Sequence, residues 1–161
     1  MFVHPMIGFY CKLWTLQQKL EIAIQEAEEE EMKGDECIAS QSYLWTNLPE
    51  IKLDAEFRRA FLEMVAKSMQ KPVEATALIV QTGPNCCQIG TDPDEPAMIL
   101  HIKSIGRVNS VENVIHCKNI SDFVESRLGI PPVRVMIHFQ SLEKHEVGKG
   151  GTTVEMLLAD K

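Results

Sequence analysis

Few residues in this chain could do chemistry by themselves, and their spacing narrows the choice. Cys86 and Cys87 are adjacent thiols, a pair suited to redox exchange or to part of a metal site. No His or Cys follows at ligand spacing, so two ordinary thiols in a loop or at a strand edge is the reading the pair supports. Cys11, Cys37 and Cys117 bring the total to an odd five with no framework pattern, and no disulfide scaffold is inferred. His101, His116, His138 and His145 show none of the paired spacings of metal motifs, so neither a metal site nor a cofactor is expected. A His at a strand end, such as His138, is ordinarily structural or solvated, although imidazole can donate a hydrogen bond or act as a base near neutral pH. Lys71 stands directly before Pro72 and, taken alone, reads as a solvated cation closing a helix.

The elements that must position these side chains are organised around Ala97 to Gly106. Its first six residues are apolar except His101, it is entered through Glu95-Pro96, and Gly106 closes it. A run that short predicts a strand covered on both faces rather than a helix. Asn109-Ser110 then starts an amphipathic helix running to Gly129, and a second apolar strand follows over Val133 to Phe139. Strand, crossover helix and parallel strand make one unit.

An earlier unit has the same order. Ser42 to Asn47 is rich in β-formers and stops at Leu48-Pro49. Asp54 caps a helix with the stripe Phe57, Ala60, Phe61, Met64 and Val65, and Ala75 to Gln81 is the closing strand before a turn at Gly83-Pro84-Asn85. Lys71-Pro72-Val73 leads into one closing strand and Pro131-Pro132-Val133 into the other. The fold class is therefore α/β, two strand–helix–strand units forming a four-stranded mixed sheet under two antiparallel helices. Val147 to Leu158 is β-prone but broken by Gly148, Gly150 and Gly151, a pattern suited to pairing with the edge strand of a neighbouring subunit.

Composition sets the limits. The 161 residues carry a net charge of −7, with 45% apolar and 24% charged residues, ordinary values for a soluble globular chain. Residues 1–39 hold three Lys against eight acidic residues, so the charge is concentrated there. That segment reads as an acidic extension, with a marginal solvated helix over Leu16 to Met32, and residues 40–161 as the folded domain. No basic patch points to nucleic acid. No apolar run reaches the about 18 residues that would span a bilayer, so no membrane insertion is expected. The segment Met1 to Trp14 lacks a basic start and a cleavage site, so export through a conventional signal is not expected.

Six landmarks follow one another in a familiar order: Thr46-Asn47-Leu48-Pro49, Lys71-Pro72, Glu95-Pro96, Ser104-Ile105-Gly106, Pro132 to Val135, and Val147-Gly148-Lys149. Over about residues 41–158 the chain resembles the macrophage migration inhibitory factor family, which includes D-dopachrome tautomerase. The resemblance implies the fold just deduced, a homotrimer around a central channel, and a small keto–enol tautomerase or cytokine. It implies a cell-surface receptor and a small aromatic keto acid as partners, and location in the cytoplasm and outside the cell.

The family base is a proline at the mature N-terminus, whose secondary amine in an apolar, cation-lined pocket can be neutral and take a proton from carbon beside a carbonyl. Family spacing puts that position at Ser40, whose nitrogen is a non-basic amide inside the chain. Pro5 is no replacement, since four residues precede it. Lys71 matches the lysine that binds substrate carboxylate and Ile105 the pocket wall. Met136 and His138 stand where the founding branch offers Tyr and Asn from the adjacent subunit. The implied function is a migration inhibitory factor-like cytokine of the phenylpyruvate/dopachrome tautomerase family, without its catalytic base. A mature chain starting at a proline would instead be an active tautomerase.

Overall fold

The computed structural model describes residues 39–159. The helix expected over Leu16 to Met32 lies outside them. The described order is β1 (Ser40–Thr46), α1 (Ala55–Ser68), β2 (Thr76–Thr82), β3 (Met98–Ser104), α2 (Ser110–Leu128), β4 (Val135–Ser141), a hairpin of β5 (Gly148–Lys149) and β6 (Thr152–Thr153), and α3 (Val154–Ala159). Four strands form one sheet in the order β2-β1-β3-β4. Each outer strand runs parallel to its own unit's first strand, and β1 and β3 meet antiparallel with Leu44 opposite Leu100. The two crossover helices are therefore antiparallel, as the sequence pattern predicts.

Local chemistry sets the helix ends. The Asp54 carboxylate accepts from the Phe57 N–H at 2.8 Å, satisfying one otherwise orphaned donor of the first turn of α1. The helix stops where Gln70 turns left-handed at φ 52°, with Lys71 N–H donating to Ala66 O at 2.8 Å and Gln70 N–H to Lys67 O at 3.2 Å. That pair of bonds is a Schellman stop built on a residue other than glycine. In α2 the Asn109 side chain accepts from the N–H groups of Val111 and Glu112, and Gly129 at φ 70° ends the helix. Both closing strands are then entered alike. Pro72 and Pro131 sit at (−61°, 140°) and (−66°, 148°) and open one-turn 3-10 helices, Val73–Ala75 and Pro132–Arg134.

One core holds the sheet to its helices. Leu44, Met98, Leu100 and Ile102 from the sheet pack against Phe57, Phe61, Val65, Ile120 and Val124. The Phe57, Phe61 and Phe123 rings form a triangle with centres 5.8 to 5.9 Å apart, within the range of favourable aromatic contact.

One sequence expectation needs correction, and the tail gains a shape. β3 is covered by helices on one face only: Met98, Leu100, Ile102 and Ser104 are buried, whereas Ile99, His101 and Lys103 are half-buried on the other face. The near-continuous apolar run concealed an alternation that a central strand imposes regardless of residue type. The tail forms a hairpin of its own outside the four-stranded sheet. Gly150 and Gly151, at φ 64° and 87°, make a tight turn between β5 and β6. Val147, Val154 and Leu158 then pack on Ile105, Ala39 and Leu142. Glycines that look like breaks in a strand are here the turn of a hairpin.

Candidate functional site

The end of the sheet where β1 and β2 begin and β3 ends is polar beneath its cover. Ser40 opens β1 opposite Thr76 and Ser104, and its hydroxyl faces the Thr76 hydroxyl at 3.4 Å. Thr76 Oγ1 in turn donates to Pro72 O at 3.2 Å. Lys71 is only 8% exposed, and its Nζ donates to Ile105 O at 2.6 Å. The Ile105 N–H lies 3.5 Å from Ala39 O. Ser40, Lys71 and Ile105, which the sequence singles out from three separate motifs, thus converge. Burial of an ammonium is costly, so a charge-assisted bond to a carbonyl at this distance fixes where the cation sits.

The Ser40 nitrogen remains an amide joined to Ala39. Its Oγ has no His or carboxylate partner among the described residues, only a threonine hydroxyl. Ser104 Oγ, the register partner, is buried without a hydrogen bond. This end can therefore bind an anion or accept hydrogen bonds, but it displays no activated base or nucleophile.

A buried histidine holds the loop behind Ile105 in place. His116 Nε2 lies 2.9 Å from Arg107 O, and Nδ1 lies 2.9 Å from Ser68 Oγ. A carbonyl only accepts, so Nε2 carries the proton and Nδ1 accepts from Ser68, whose oxygen also accepts from Asn119 Nδ2 at 3.1 Å. Arg107, left-handed at φ 59°, is held further by Glu112 at 3.1 Å. In the sequence His116 stands out only among the residues tested for metal-ligand spacing. Its true role, tying α1 to the loop after β3, is fully satisfied by neighbouring groups.

Met136 and His138 lie elsewhere. They project from β4 on the sheet face opposite the helices, and Met136 pairs with Ile99, at the end of β3 remote from Ile105. A single chain does not bring them to Lys71. At that remote end Asn47 and Arg134 pin the preceding loop. Asn47 donates to Pro93 O and Glu95 O at 3.0 and 2.7 Å and accepts from Ala97 N–H at 2.8 Å. Arg134 donates to Pro96 O and Glu95 O, both at 2.9 Å, and pairs with the Glu95 carboxylate. The Thr-Asn-Leu-Pro, Glu-Pro and Pro-x-Arg-Val landmarks are thus parts of one loop clamp.

Of the adjacent thiols, Cys87 is buried against Trp45 O and Ala97 O, and burial pushes its thiol above the ordinary cysteine value. Cys86 instead lines an open recess of about 500 Å³ with Gln81, Thr82, Gly83, Pro84 and Asn85. Their different surroundings leave one inert thiol and one accessible thiol.

The family described as "Macrophage migration inhibitory factor (MIF)" matches residues 42–155. A MIF-like protein of Caenorhabditis elegans is 35% identical over 109 residues, 68% of this chain and 89% of the relative. A D-dopachrome decarboxylase of Gallus gallus is 33% identical over 71% of this chain and 96% of the relative. The solved structure of the macrophage migration inhibitory factor from Trichinella spiralis superposes with a TM-score of 0.65 at 28% identity, covering 70% of this chain and 98% of that one.

Proposed function

The chain belongs to the macrophage migration inhibitory factor family, and on that premise we propose that it is a cytokine-like homotrimer with a keto-acid pocket but no general base. The carrying observation is the buried Lys71 ammonium fixed beside Ile105 and Ser40. In this reading Lys71 holds the carboxylate of a small aromatic keto acid and Ile105 packs against its ring. Ser40, an amide where the reaction needs a free amine, leaves the carbon-bound proton in place. Met136 and His138 reach the pocket from the adjacent subunit. The open face of the sheet, with Ile79 and Met136 exposed, lines the interior of the trimer. The protein acts in the cytoplasm and outside the cell, where the trimer engages a surface receptor.

Tautomerisation of phenylpyruvate by the full chain tests the reading. A rate at background, together with saturable binding of the same acid, is the expected result. Turnover comparable to that of an active tautomerase would establish an internal base and remove Ser40 as the lesion. Sedimentation should report a mass of about three chains, since Met136 and His138 lie on a face that a single chain leaves open. A clean monomer at micromolar concentration would defeat the trimer.

A further inference from the structure

Within one chain, the sheet face turned away from the helices carries a cluster remote from Lys71, two members of which, Met136 and His138, the proposed function brings to the keto-acid pocket of an adjacent subunit. His101 on β3 and His138 on β4 are register partners on neighbouring parallel strands. Their rings lie 4.9 Å apart, centre to centre, at 88°. Neither ring makes a hydrogen bond among the described residues, so their nitrogens are uncommitted. Met136, two residues before His138 on the same strand, shares this face and is 56% exposed. The Trp45 ring closes one flank, 5.0 Å from His101.

We propose that His101, His138 and Met136 form a binding site for a soft monovalent metal ion, Cu(I), complete within one chain. The ring spacing suits two ligands. A metal about 2.0 Å from a ring nitrogen lies about 3.1 Å from that ring's centre, so centres 4.9 Å apart subtend roughly 100° at the metal, near the tetrahedral angle. Turning the edge-to-face rings into that arrangement requires rotation about terminal torsions whose energy profiles are broad.

The donor set selects the ion. Two imidazoles and a thioether, with no carboxylate or thiolate beside them, favour copper, and the thioether favours its reduced form. Lys103 follows His101 on the same face, its ammonium 5.6 Å from the Tyr43 ring centre. That positive charge repels a dication about twice as strongly as a monocation. No redox step is involved; the site holds the ion in one oxidation state.

The test titrates Cu(I), under reductant and against a chromogenic Cu(I) chelator, into the full chain. The background carries Cys11→Ser, Cys37→Ser, Cys86→Ser and Cys117→Ser so that these thiols do not compete. Long-range proton–nitrogen NMR identifies the ligating imidazole nitrogens. One ion per chain is expected, with a ligation shift on one nitrogen of each of His101 and His138. Losing a ligand should cost at least the about tenfold in affinity that loss of a supporting partner costs, so His101→Gln and His138→Gln each weaken binding by that much or more. Met136→Leu weakens it by less, and His145→Gln leaves it unchanged. None of the three proposed ligands is buried, so thermal unfolding should show these variants still folded. Absence of ligation shifts, an affinity untouched by the double His variant, or tighter retention of Zn(II) than of Cu(I) would each overturn the assignment.

Discussion

The two ends of the sheet are built on nearly the same backbone and carry opposite chemistry. At one end Ser40 starts β1 between Thr76 and Ser104; at the other Met98 starts β3 between Val135 and Thr46. The crossover into β2 passes through Gln70-Lys71-Pro72, and that into β4 through Gly129-Ile130-Pro131, each with a left-handed residue, a buried residue and an extended proline. The second unit shows what the backbone asks for at the middle position: a fully buried isoleucine. The first unit places an ammonium there. Packing alone offers no reason to choose a buried lysine over an aliphatic side chain, because removing a cation from water is costly. The difference between the ends is what the proposed carboxylate-binding role of Lys71 accounts for.

If the polar end is a pocket lacking only its base, restoring the base should have the largest effect. A chain shortened to begin at position 40 and carrying Ser40→Pro should gain about 10²–10⁴-fold in phenylpyruvate tautomerisation over the full chain, the usual contribution of a general base. No gain would mean that the polar end lacks more than an amine.

Transplanting the cation sharpens the contrast from the other side. Ile130→Lys puts an ammonium at a fully buried position of the apolar end, and thermal or denaturant unfolding should show a loss of about 3–5 kcal/mol. A neutral result would show that this backbone accommodates a lysine at either end, and burial of Lys71 would no longer point to a ligand.

The left-handed caps offer a smaller test. Gln70→Gly should stabilise the chain by up to about 1 kcal/mol by relieving a side chain at φ 52°. Gly129→Ala should cost a similar amount, about 1 kcal/mol, because φ 70° there favours glycine. Opposite signs at equivalent positions would confirm that the backbones match. The smallest effect lies outside both ends and serves as their baseline. Burial raises the thiols of Cys87 and Cys117 above 9.0, so the unfolded chain ionises them first. Their contribution is complete below that pH and is lost as pH rises past it, visible as a shallow alkaline decline in melting temperature.

Much of the fold was legible in the sequence because caps and breakers are local. Asp54, Asn109 and Gly129 announce their helix ends through hydrogen bonds and φ values that involve only near neighbours. Pro72 announced the end of α1 as well, but not the left-handed glutamine that makes the stop. The paired units were legible as well, but their match was one residue out of step. Pro131, not Pro132, is the equivalent of Pro72, because each 3-10 turn begins after its extended proline. What remained hidden is decided by tertiary burial. A lysine before a proline looks solvated until the loop after β3 brings the Ile105 carbonyl to it. His116 looked like a stray imidazole until Ser68 and Arg107 were placed on either side.

The central claim is that Lys71 occupies a position built for isoleucine in order to hold a carboxylate. Calorimetric titration of phenylpyruvate into the full chain and into Lys71→Ile tests it directly. The account predicts saturable binding by the full chain and a loss of about 10–100-fold in the variant, the worth of one charge-assisted contact, with cooperative unfolding retained. Equal affinities in the two folded proteins would contradict it.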